Sequence, residues 1–281
     1  MRNQKKLGLS LRGGAGRATG YVGVFKALRE EDIQIDYIIG SSMGANIGVL
    51  YGMNLPEKEI IEIISRFQLK NMISLESLKE LTLLGIHKAE IEIEPILKDI
   101  KLEDLKIPVY IQATNLNTRR VEIFEKGLLK PLIMATCAFP FYMPPIEIEG
   151  QYYIDGDITA GYGADFLRRK GADVVMGLSA GKMHSLENHT SLLSRFLDPI
   201  LIAAENYRAV DSLAHPLDIH IDNLGLDAGP FSYDKFPELI DNAYNKTIEN
   251  MPFIKEKLNI KSPIFYFINR SIKKLQNKIN T

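Results

Sequence analysis

The order of strands, glycine turns and helices in the first 53 residues most restricts how this chain can fold. KLGLSL, residues 6–11, predicts a strand; RGGAGRATG follows as a turn, and the apolar residues of YVGVFKALREED then recur at helical spacing. The order repeats, because IDYIIG predicts a second strand and MGANIGVLYGM a second helix. Strands that alternate with helices predict a parallel sheet covered by helices, which is an α/β fold.

The rest of the chain extends the same pattern. Further strand-like segments lie at residues 109–124, 171–180 and 215–222. Helical patterns lie at residues 56–106 and 237–258. Without an internal repeat or a linker-like composition, we expect one domain over residues 1–262. Residues 263–281 combine an apolar stripe with basic residues, which predicts an amphipathic helix that packs on this domain or lies on an anionic membrane.

The composition limits which binding partners and which cellular compartment we expect. Lys and Arg number 34 against 35 Asp and Glu, so the chain has no overall field that would attract nucleic acid. The single cysteine, Cys137, rules out an intramolecular disulfide and is expected to be a buried, inert thiol. The sequence has no apolar run long enough for a transmembrane helix, and its N-terminal apolar run is too short for a signal peptide. We therefore expect a cytoplasmic protein, with any membrane contact peripheral and at the inner face.

The glycine loop after the first predicted strand permits a nucleotide-binding interpretation. Gly14, Gly16 and Gly20 form a relaxed dinucleotide-binding fingerprint between a strand and a helix. That fingerprint also needs a carboxylate at the carboxyl end of the next strand, whereas Asp36 stands at the amino end. A nucleotide-binding oxidoreductase stays open as an alternative, and it predicts tight binding of a dinucleotide.

The pentapeptide GSSMG follows the second predicted strand and has the G-x-S-x-G spacing of a nucleophile elbow. This spacing selects the second serine, Ser42, because Gly40 and Gly44 stand two residues away on either side. At such an elbow the strand turns sharply into a helix, and bulky neighbours would collide. Gly48 and Gly52 continue at a spacing of four, which predicts close packing of the helix on the sheet.

A nucleophilic serine needs a base to take its proton and donors to stabilise the oxyanion. The backbone N–H groups of GGAG could be those donors, since small side chains leave room for a substrate. None of the five histidines has a distinctive setting, although His215 or His220 would be the base of an ordinary α/β-hydrolase triad. Asp155 ends the strand-like run QYYID, where it fits either a catalytic base or a simple Asp-Gly turn.

Together these segments resemble the patatin-like phospholipase family. The matching pieces keep the family's order: GGAGRATG, GSSMG, ATCAFPFYMPPIEIEGQYYIDG and GADVVMGLS, between residues 13 and 179. The resemblance implies a three-layer α/β/α fold with a mainly parallel central sheet. It also implies an acyl-ester hydrolase for phospholipids or related lipids, which works through an acyl-enzyme intermediate and needs no metal or other cofactor.

The resemblance also assigns the site. Ser42 would be the nucleophile and Asp155 the base, in a dyad without histidine, with Gly40 and Gly44 in the elbow. The oxyanion hole would be formed by the loop residues Gly13, Gly14, Ala15, Gly16 and Arg17. A carboxylate has an ordinary pKa near 3.9, so burial that raises the pKa would make Asp155 a better base.

Three departures from the family pattern leave a second function open. Ala15 and Ala18 stand where the family has glycine, and alanine does not adopt positive φ cheaply. Asp157 replaces a glycine or alanine; in an extended segment it would point the same way as Asp155, and would raise its pKa or compete for its role. TAGYG, residues 159–163, replaces the family's Asn-x-Pro element. A catalytically weak lipid-binding protein, a sensor or a carrier, therefore remains an alternative.

A lipid hydrolase must also admit an apolar substrate. The aromatic, proline-rich segment before Asp155 could line the mouth of the site or could fill the core, through Phe139, Phe141, Tyr142 and Met143. The sequence does not decide between these two interpretations.

Overall fold

The computed structural model describes residues 4–66, 95–181, 192–225, 228–229 and 232–260. The strands are β1 (Leu7–Leu11), β2 (Tyr37–Ser41), β3 (Val109–Asn115), β4 (Arg120–Phe124), β5 (Ile146–Ile148), β6 (Gln151–Asp155), β7 (Val174–Leu178) and β8 (Ile219–Ile221). The α-helices are α1 (Tyr21–Glu30), α2 (Ser42–Gly52), α3 (Glu57–Arg66), α4 (Leu129–Thr136), α5 (Ala164–Arg169), α6 (Leu192–Ala214) and α7 (Phe236–Lys257).

The strands form one mainly parallel sheet in the order β5-β6-β3-β2-β1-β7-β8, and β4 pairs with β3 off this path. Strands β3, β2, β1, β7 and β8 are parallel, whereas β4, β5 and β6 pair in antiparallel fashion. Every residue of β1, β3 and β7 is buried. This is the pattern of parallel strands that helices cover on both faces.

Alternate residues of the strands supply the two apolar layers. Ile38 and Met176 belong to the larger core cluster, together with residues of α1, α2 and α7. Ile39 and Val175, their neighbours in sequence, belong to a second cluster on the other face, with Ala164 and Leu167 of α5. The predicted three-layer α/β/α class is therefore confirmed.

Close backbone contacts hold the helices to one another and to the sheet. A Cβ on Gly23 in α1 would lie 2.1 Å from the carbonyl oxygen of Ile240 in α7, so only glycine fits this crossing. A Cβ on Gly48 would lie 2.9 Å from Ile38 Cγ2, and one on Gly52 would lie 2.6 Å from Val109 Cγ2. The two glycines thus let α2 approach the sheet, as their spacing predicts.

Strand β3 brings the carboxyl ends of β2 and β6 together. Ser41, the last residue of β2, pairs with Gln112, and Asp155, the last residue of β6, pairs with Ala113. Ala113 also pairs with Glu122 of β4, which occupies the opposite edge of β3. Strands β2 and β6 therefore lie on the same edge of β3 in opposite directions, and their carboxyl ends face each other.

Several sequence expectations can be compared with these elements. The predicted strands at residues 6–11, 35–40, 171–180 and 215–222 and the paired extended segments at residues 109–124 are present. The predicted helical stretch 56–106 includes α3, but residues 67–94 lie outside the described residues, as does the proposed amphipathic segment 263–281. Within the described ranges, no helix is long and apolar enough to span a membrane.

Candidate active site

Ser42 lies at a sharp turn from strand to helix. It is the first residue of α2 and has φ of 51°, a conformation that costs a non-glycine residue about 1–2 kcal/mol. The turn leaves no space for side chains on either side. A Cβ on Gly44 would lie 2.3 Å from the Leu11 carbonyl oxygen, and one on Gly40 would lie 2.8 Å from the Ala45 nitrogen. The geometry is that of a nucleophile elbow.

The Ser42 hydroxyl donates a hydrogen bond to Asp155 Oδ2 at 2.6 Å. The two residues are 113 positions apart in sequence and meet because β2 and β6 end at adjacent positions along β3. Asp155 is almost fully buried, at 1% exposure. Burial, and then the charge of Asp157, raise the pKa of Asp155 to about 8, although the Ser42 hydrogen bond lowers it.

Thr136 supports the elbow from behind and has no counterpart among the sequence predictions. The Ser42 N–H donates to Thr136 Oγ1 at 2.8 Å, and the Thr136 hydroxyl donates to the Gln112 carbonyl oxygen at 2.6 Å. Thr136 is the last residue of the apolar helix α4 and is fully buried. The only sign of this role in the sequence is one hydroxyl side chain in the apolar segment LKPLIMAT, and a single hydroxyl does not identify its hydrogen-bond partners.

The glycine loop passes beside Ser42. A Cβ on Gly13 would lie 2.7 Å from Ser42 Cβ. The Gly13 N–H donates to Asp157 Oδ1 at 3.2 Å, and the Arg17 N–H donates to the Gly14 carbonyl oxygen at 3.2 Å. Among the described residues, no acceptor bonds the three intervening N–H groups, those of Gly14, Ala15 and Gly16. These three are the donors that the loop has available.

The alanines in this loop have different conformations. Ala15 has φ of 50°, so it adopts the left-handed conformation that glycine would adopt at lower cost. Ala18 lies in the short 3₁₀ helix Ala15–Gly20 and is completely buried. Arg17 belongs to the same turn; its side chain is buried, and burial lowers the pKa of its guanidinium group.

Asp157 does not hydrogen-bond to Ser42. The expectation that it continues an extended segment with Asp155 is wrong, because β6 ends at Asp155 and Gly156–Ile158 form a 3₁₀ turn. The turn directs the Asp157 carboxylate to Ser41, whose hydroxyl donates to Asp157 Oδ1. The Asp157 N–H donates to Asp155 Oδ1 at 2.8 Å. Ser41, the first serine of the motif, is therefore bound by the carboxylate of Asp157.

Two arginines compensate the charge of this carboxylate pair. Arg208 in α6 donates to the Asp157 carbonyl oxygen at 2.6 Å, and both Arg208 and Arg12 donate to Glu205 Oε1, at 2.9 and 3.1 Å. Burial alone would raise the pKa of Asp157, but the charges of Arg12 and Arg208 outweigh it and hold the pKa below its ordinary value. The pKa of Asp155 is thus raised while that of Asp157 is lowered, so Asp157 gives up its proton first.

The described histidines lie apart from Ser42. His220 Nε2 is 2.8 Å from the Tyr162 hydroxyl, and His215 follows the end of α6. The other three histidines lie outside the described residues. Asp36 accepts a hydrogen bond from the Leu7 N–H at 2.8 Å, at the amino end of β1. A ribose-binding carboxylate belongs at the carboxyl end of the strands, so this geometry does not favour a dinucleotide site.

The aromatic segment before Asp155 has both buried and exposed side chains. Met143 is buried at 5% exposure and Tyr142 packs against the core, while Phe141 is exposed and lies near the Phe196 ring of α6, with centroids 5.5 Å apart. Cys137 Sγ accepts a hydrogen bond from Asn46 Nδ2 at 3.1 Å, and burial raises the pKa of this thiol.

Fold and site together define an α/β protein with a serine at a strand-to-helix elbow and a buried carboxylate within hydrogen-bond distance of it. The family model for patatin-like phospholipases matches residues 9–168. The chain therefore belongs to the patatin-like phospholipase family.

Curated relatives match a similar part of the chain. A patatin-like phospholipase domain-containing protein from Caenorhabditis elegans, ZK370.4, is 30% identical over 186 residues, which are 63% of this chain and 14% of that protein. The lysophospholipase nte1 from Aspergillus fumigatus is 28% identical over 184 residues, which are 64% of this chain and 12% of that protein. The chain thus spans only a small part of the length of these relatives.

Solved structures share the fold. The human GIVD cytosolic phospholipase A2, in complex with methyl gamma-linolenyl fluorophosphonate, superposes with a TM-score of 0.52 at 12% identity, over 90% of this chain and 58% of that one. VipD from Legionella pneumophila superposes with a TM-score of 0.50 at 14% identity, over 88% and 66%.

Proposed function

We propose that this chain hydrolyses carboxylic esters of phospholipids or related lipids through a Ser42–Asp155 dyad and an acyl-enzyme intermediate. The observation that carries the proposal is the 2.6 Å hydrogen bond from the Ser42 hydroxyl at the elbow to the buried Asp155 carboxylate. A base whose pKa lies near the working pH is the most effective proton acceptor, and the raised pKa of Asp155 fits that requirement.

In the proposed reaction, Asp155 takes the Ser42 proton while Ser42 Oγ forms a bond to the acyl carbon. The carbonyl oxygen becomes an oxyanion beside the N–H groups of Gly14, Ala15 and Gly16. The tetrahedral intermediate collapses, the bond to the alcohol oxygen breaks, and that oxygen takes the proton from Asp155. A water molecule then gives a proton to Asp155 and attacks the acyl carbon. The bond from that carbon to Ser42 Oγ breaks, Ser42 Oγ takes the proton back from Asp155, and the fatty acid is released.

A hydrolysis assay over a panel of lipids tests this proposal. Phosphatidylcholine, lysophosphatidylcholine, a galactolipid and a triacylglycerol would be offered to the native protein, to Ser42→Ala and to Asp155→Asn. Each substitution should lower turnover at least about a thousandfold, because nucleophile and base act as one unit. Ser65→Ala is the matched control, since Ser65 bonds the Ile61 carbonyl oxygen within α3. Full activity in Ser42→Ala would refute the dyad.

The alternative is a lipid-binding protein with little or no turnover. The positive φ of Ala15 and the carboxylate pair in place of a single aspartate are the observations that favour it. A fluorophosphonate probe separates the two functions, because it modifies an activated serine without requiring turnover. If the folded protein binds lipid but does not react with the probe at Ser42, the hydrolase proposal fails and the lipid-binding function takes its place.

We also propose that the outer face of α6 contacts the membrane from which the substrate comes. Its exposed large apolar side chains, 47–85% accessible, are Phe196, Ile202, Tyr207, Val210 and Leu213. The opposite face of the same helix reaches the carboxylate pair through Arg208. Phe141, from the segment that leads to Asp155, lies against Phe196, so the apolar surface begins beside the site. A bilayer is the occupant that suits both the apolar face and a lipid substrate.

Vesicle binding tests this contact without any turnover. In a Ser42→Ala background, Val210→Glu together with Leu213→Glu should weaken binding to phosphatidylcholine/phosphatidylglycerol vesicles at least about tenfold. Phe253→Glu is the matched control, since Phe253 is 43% exposed on α7. Unchanged vesicle binding would refute the membrane contact. A dimer that the double substitution converts to a monomer would show instead that this face binds a second copy.

A further inference from the structure

Asp157 lies at the junction of the glycine loop, the elbow and α6. We propose that it is a positioning residue, which ties the glycine loop to the elbow and sets the pH range in which Asp155 can accept a proton. The inference rests on the proposed hydrolase function and adds a residue that the dyad does not include.

The contacts of Asp157 join three separate segments. Its Oδ1 accepts from the Gly13 N–H, in the loop after β1, and from the Ser41 hydroxyl, at the end of β2. Its backbone N–H bonds Asp155 and its carbonyl oxygen accepts from Arg208. A Cβ on Gly13 would lie 2.3 Å from Asp157 Oδ2, so the loop and the carboxylate are in close contact. One side chain therefore fixes the loop relative to the serine.

The bond to Gly13 has a consequence for the oxyanion hole. The resemblance to the family included Gly13 among the donors, but its N–H is occupied by Asp157. The hole is then formed by the three N–H groups that follow, from Gly14 to Gly16. Asp157 thus displaces the hole by one residue along the loop and holds it there.

The charges around Asp155 come from several elements. Asp157 brings a negative charge from the 3₁₀ turn, and Arg208 brings a positive charge from α6. Arg12, directly after β1, acts on Asp157, and Glu205 of α6 pairs with both Arg12 and Arg208. Ser42 of α2 and the Cys137 thiol after α4 face Asp155. Since a neighbouring anion opposes the ionisation of a carboxylic acid, Asp157 retains the proton on Asp155 up to a higher pH.

Two substitutions separate the hydrogen bonds of Asp157 from its charge. Asp157→Asn keeps an oxygen that can accept from Ser41 and Gly13 but removes the charge, whereas Asp157→Ala removes both. The rate of fluorophosphonate labelling at Ser42 would be measured against pH. The acidic midpoint should move down by about one pH unit or more in both variants. The plateau rate should be about tenfold lower in Asp157→Ala than in Asp157→Asn, because only the alanine variant releases the loop.

Glu249→Gln is the matched control, since it removes one exposed negative charge from α7. Its midpoint should equal that of the wild type. If Asp157→Asn labels with the wild-type midpoint, the charge effect is refuted. If the alanine and asparagine variants share one plateau rate, the positioning effect is refuted, because loss of the hydrogen bonds would then have no consequence.

A second measurement does not depend on catalysis. The pKa of Asp155 in the folded protein is raised above its unfolded value, so its contribution to stability is present below the unfolded pKa and is lost as the pH rises through the folded pKa. Between about pH 5 and 8 the free energy of unfolding should therefore fall more steeply in the wild type than in Asp157→Asn. Equal slopes would overturn the inference. Absence of both lipid hydrolysis and labelling in the wild type at every pH would instead refute the proposed function.

Discussion

Thr136→Val is the substitution whose effect follows most directly from the structure. Valine has nearly the shape of threonine, but it cannot accept from the Ser42 N–H or donate to the Gln112 carbonyl oxygen. A buried polar group without a partner costs about 1–3 kcal/mol. The substitution leaves two such groups, the Ser42 N–H and the Gln112 carbonyl oxygen. Since the Ser42 N–H is only partly buried, its share is the smaller one, and we expect the free energy of unfolding to fall by about 2–4 kcal/mol in total.

Urea denaturation followed by far-UV circular dichroism measures this loss, with an unchanged m-value as the sign that the unfolded state is the same. Thr136→Ser is the control, since it keeps the hydroxyl and loses one methyl group, at a cost of about 1 kcal/mol. If the valine and serine variants differ by less than about 0.5 kcal/mol, the two hydrogen bonds do not support the elbow and the reasoning fails. Fluorophosphonate labelling should also slow in Thr136→Val, because Ser42 loses its backbone anchor.

Three further substitutions test two close backbone contacts and the strain at Ala15. Gly23→Ala should destabilise the protein by more than about 2 kcal/mol in urea, because its Cβ would lie 2.1 Å from the Ile240 carbonyl oxygen; wild-type stability would contradict the packing of α1 on α7. Gly44→Ala should abolish labelling of Ser42, since the new Cβ would lie 2.3 Å from the Leu11 carbonyl oxygen, and normal labelling would argue against the elbow. Ala15→Gly should raise the free energy of unfolding by about 0.5–1 kcal/mol through relief of its positive φ, and a lower melting temperature would count against this strain.

Much of the fold could be predicted because its signals are local. The run before Ser42 and the helix after it each have the period of their element, and strand-helix alternation implies the parallel sheet. Helix α6 gives a weaker signal, because exposed apolar residues such as Val210 and Leu213 disturb the amphipathic pattern of a surface helix. The sequence pattern therefore does not predict α6.

The candidate site was predictable where a motif fixes the position of a residue. The spacing of the glycines is enough to select Ser42 as the candidate serine. The order of the family's motifs along the chain is enough to select Asp155 as its candidate partner. Thr136 and the pairing of Asp157 with Ser41 depend on contacts between segments about a hundred residues apart, and no periodicity records such contacts. The direction of Asp157 also depends on the exact end of β6, which is the least predictable property of a strand.

The position of β2 and β6 on one edge of β3 means that strand register sets the distance between Ser42 and Asp155. Ser41 and Asp155 pair with neighbouring residues of β3, and no loop intervenes between the two strand ends. A slip of β6 by two residues would keep the same side chains on each face of the sheet, yet it would carry Asp155 about 7 Å away from Ser42. Such a protein could remain folded without the proposed dyad, so the proposed activity depends on an alignment that stability alone does not enforce.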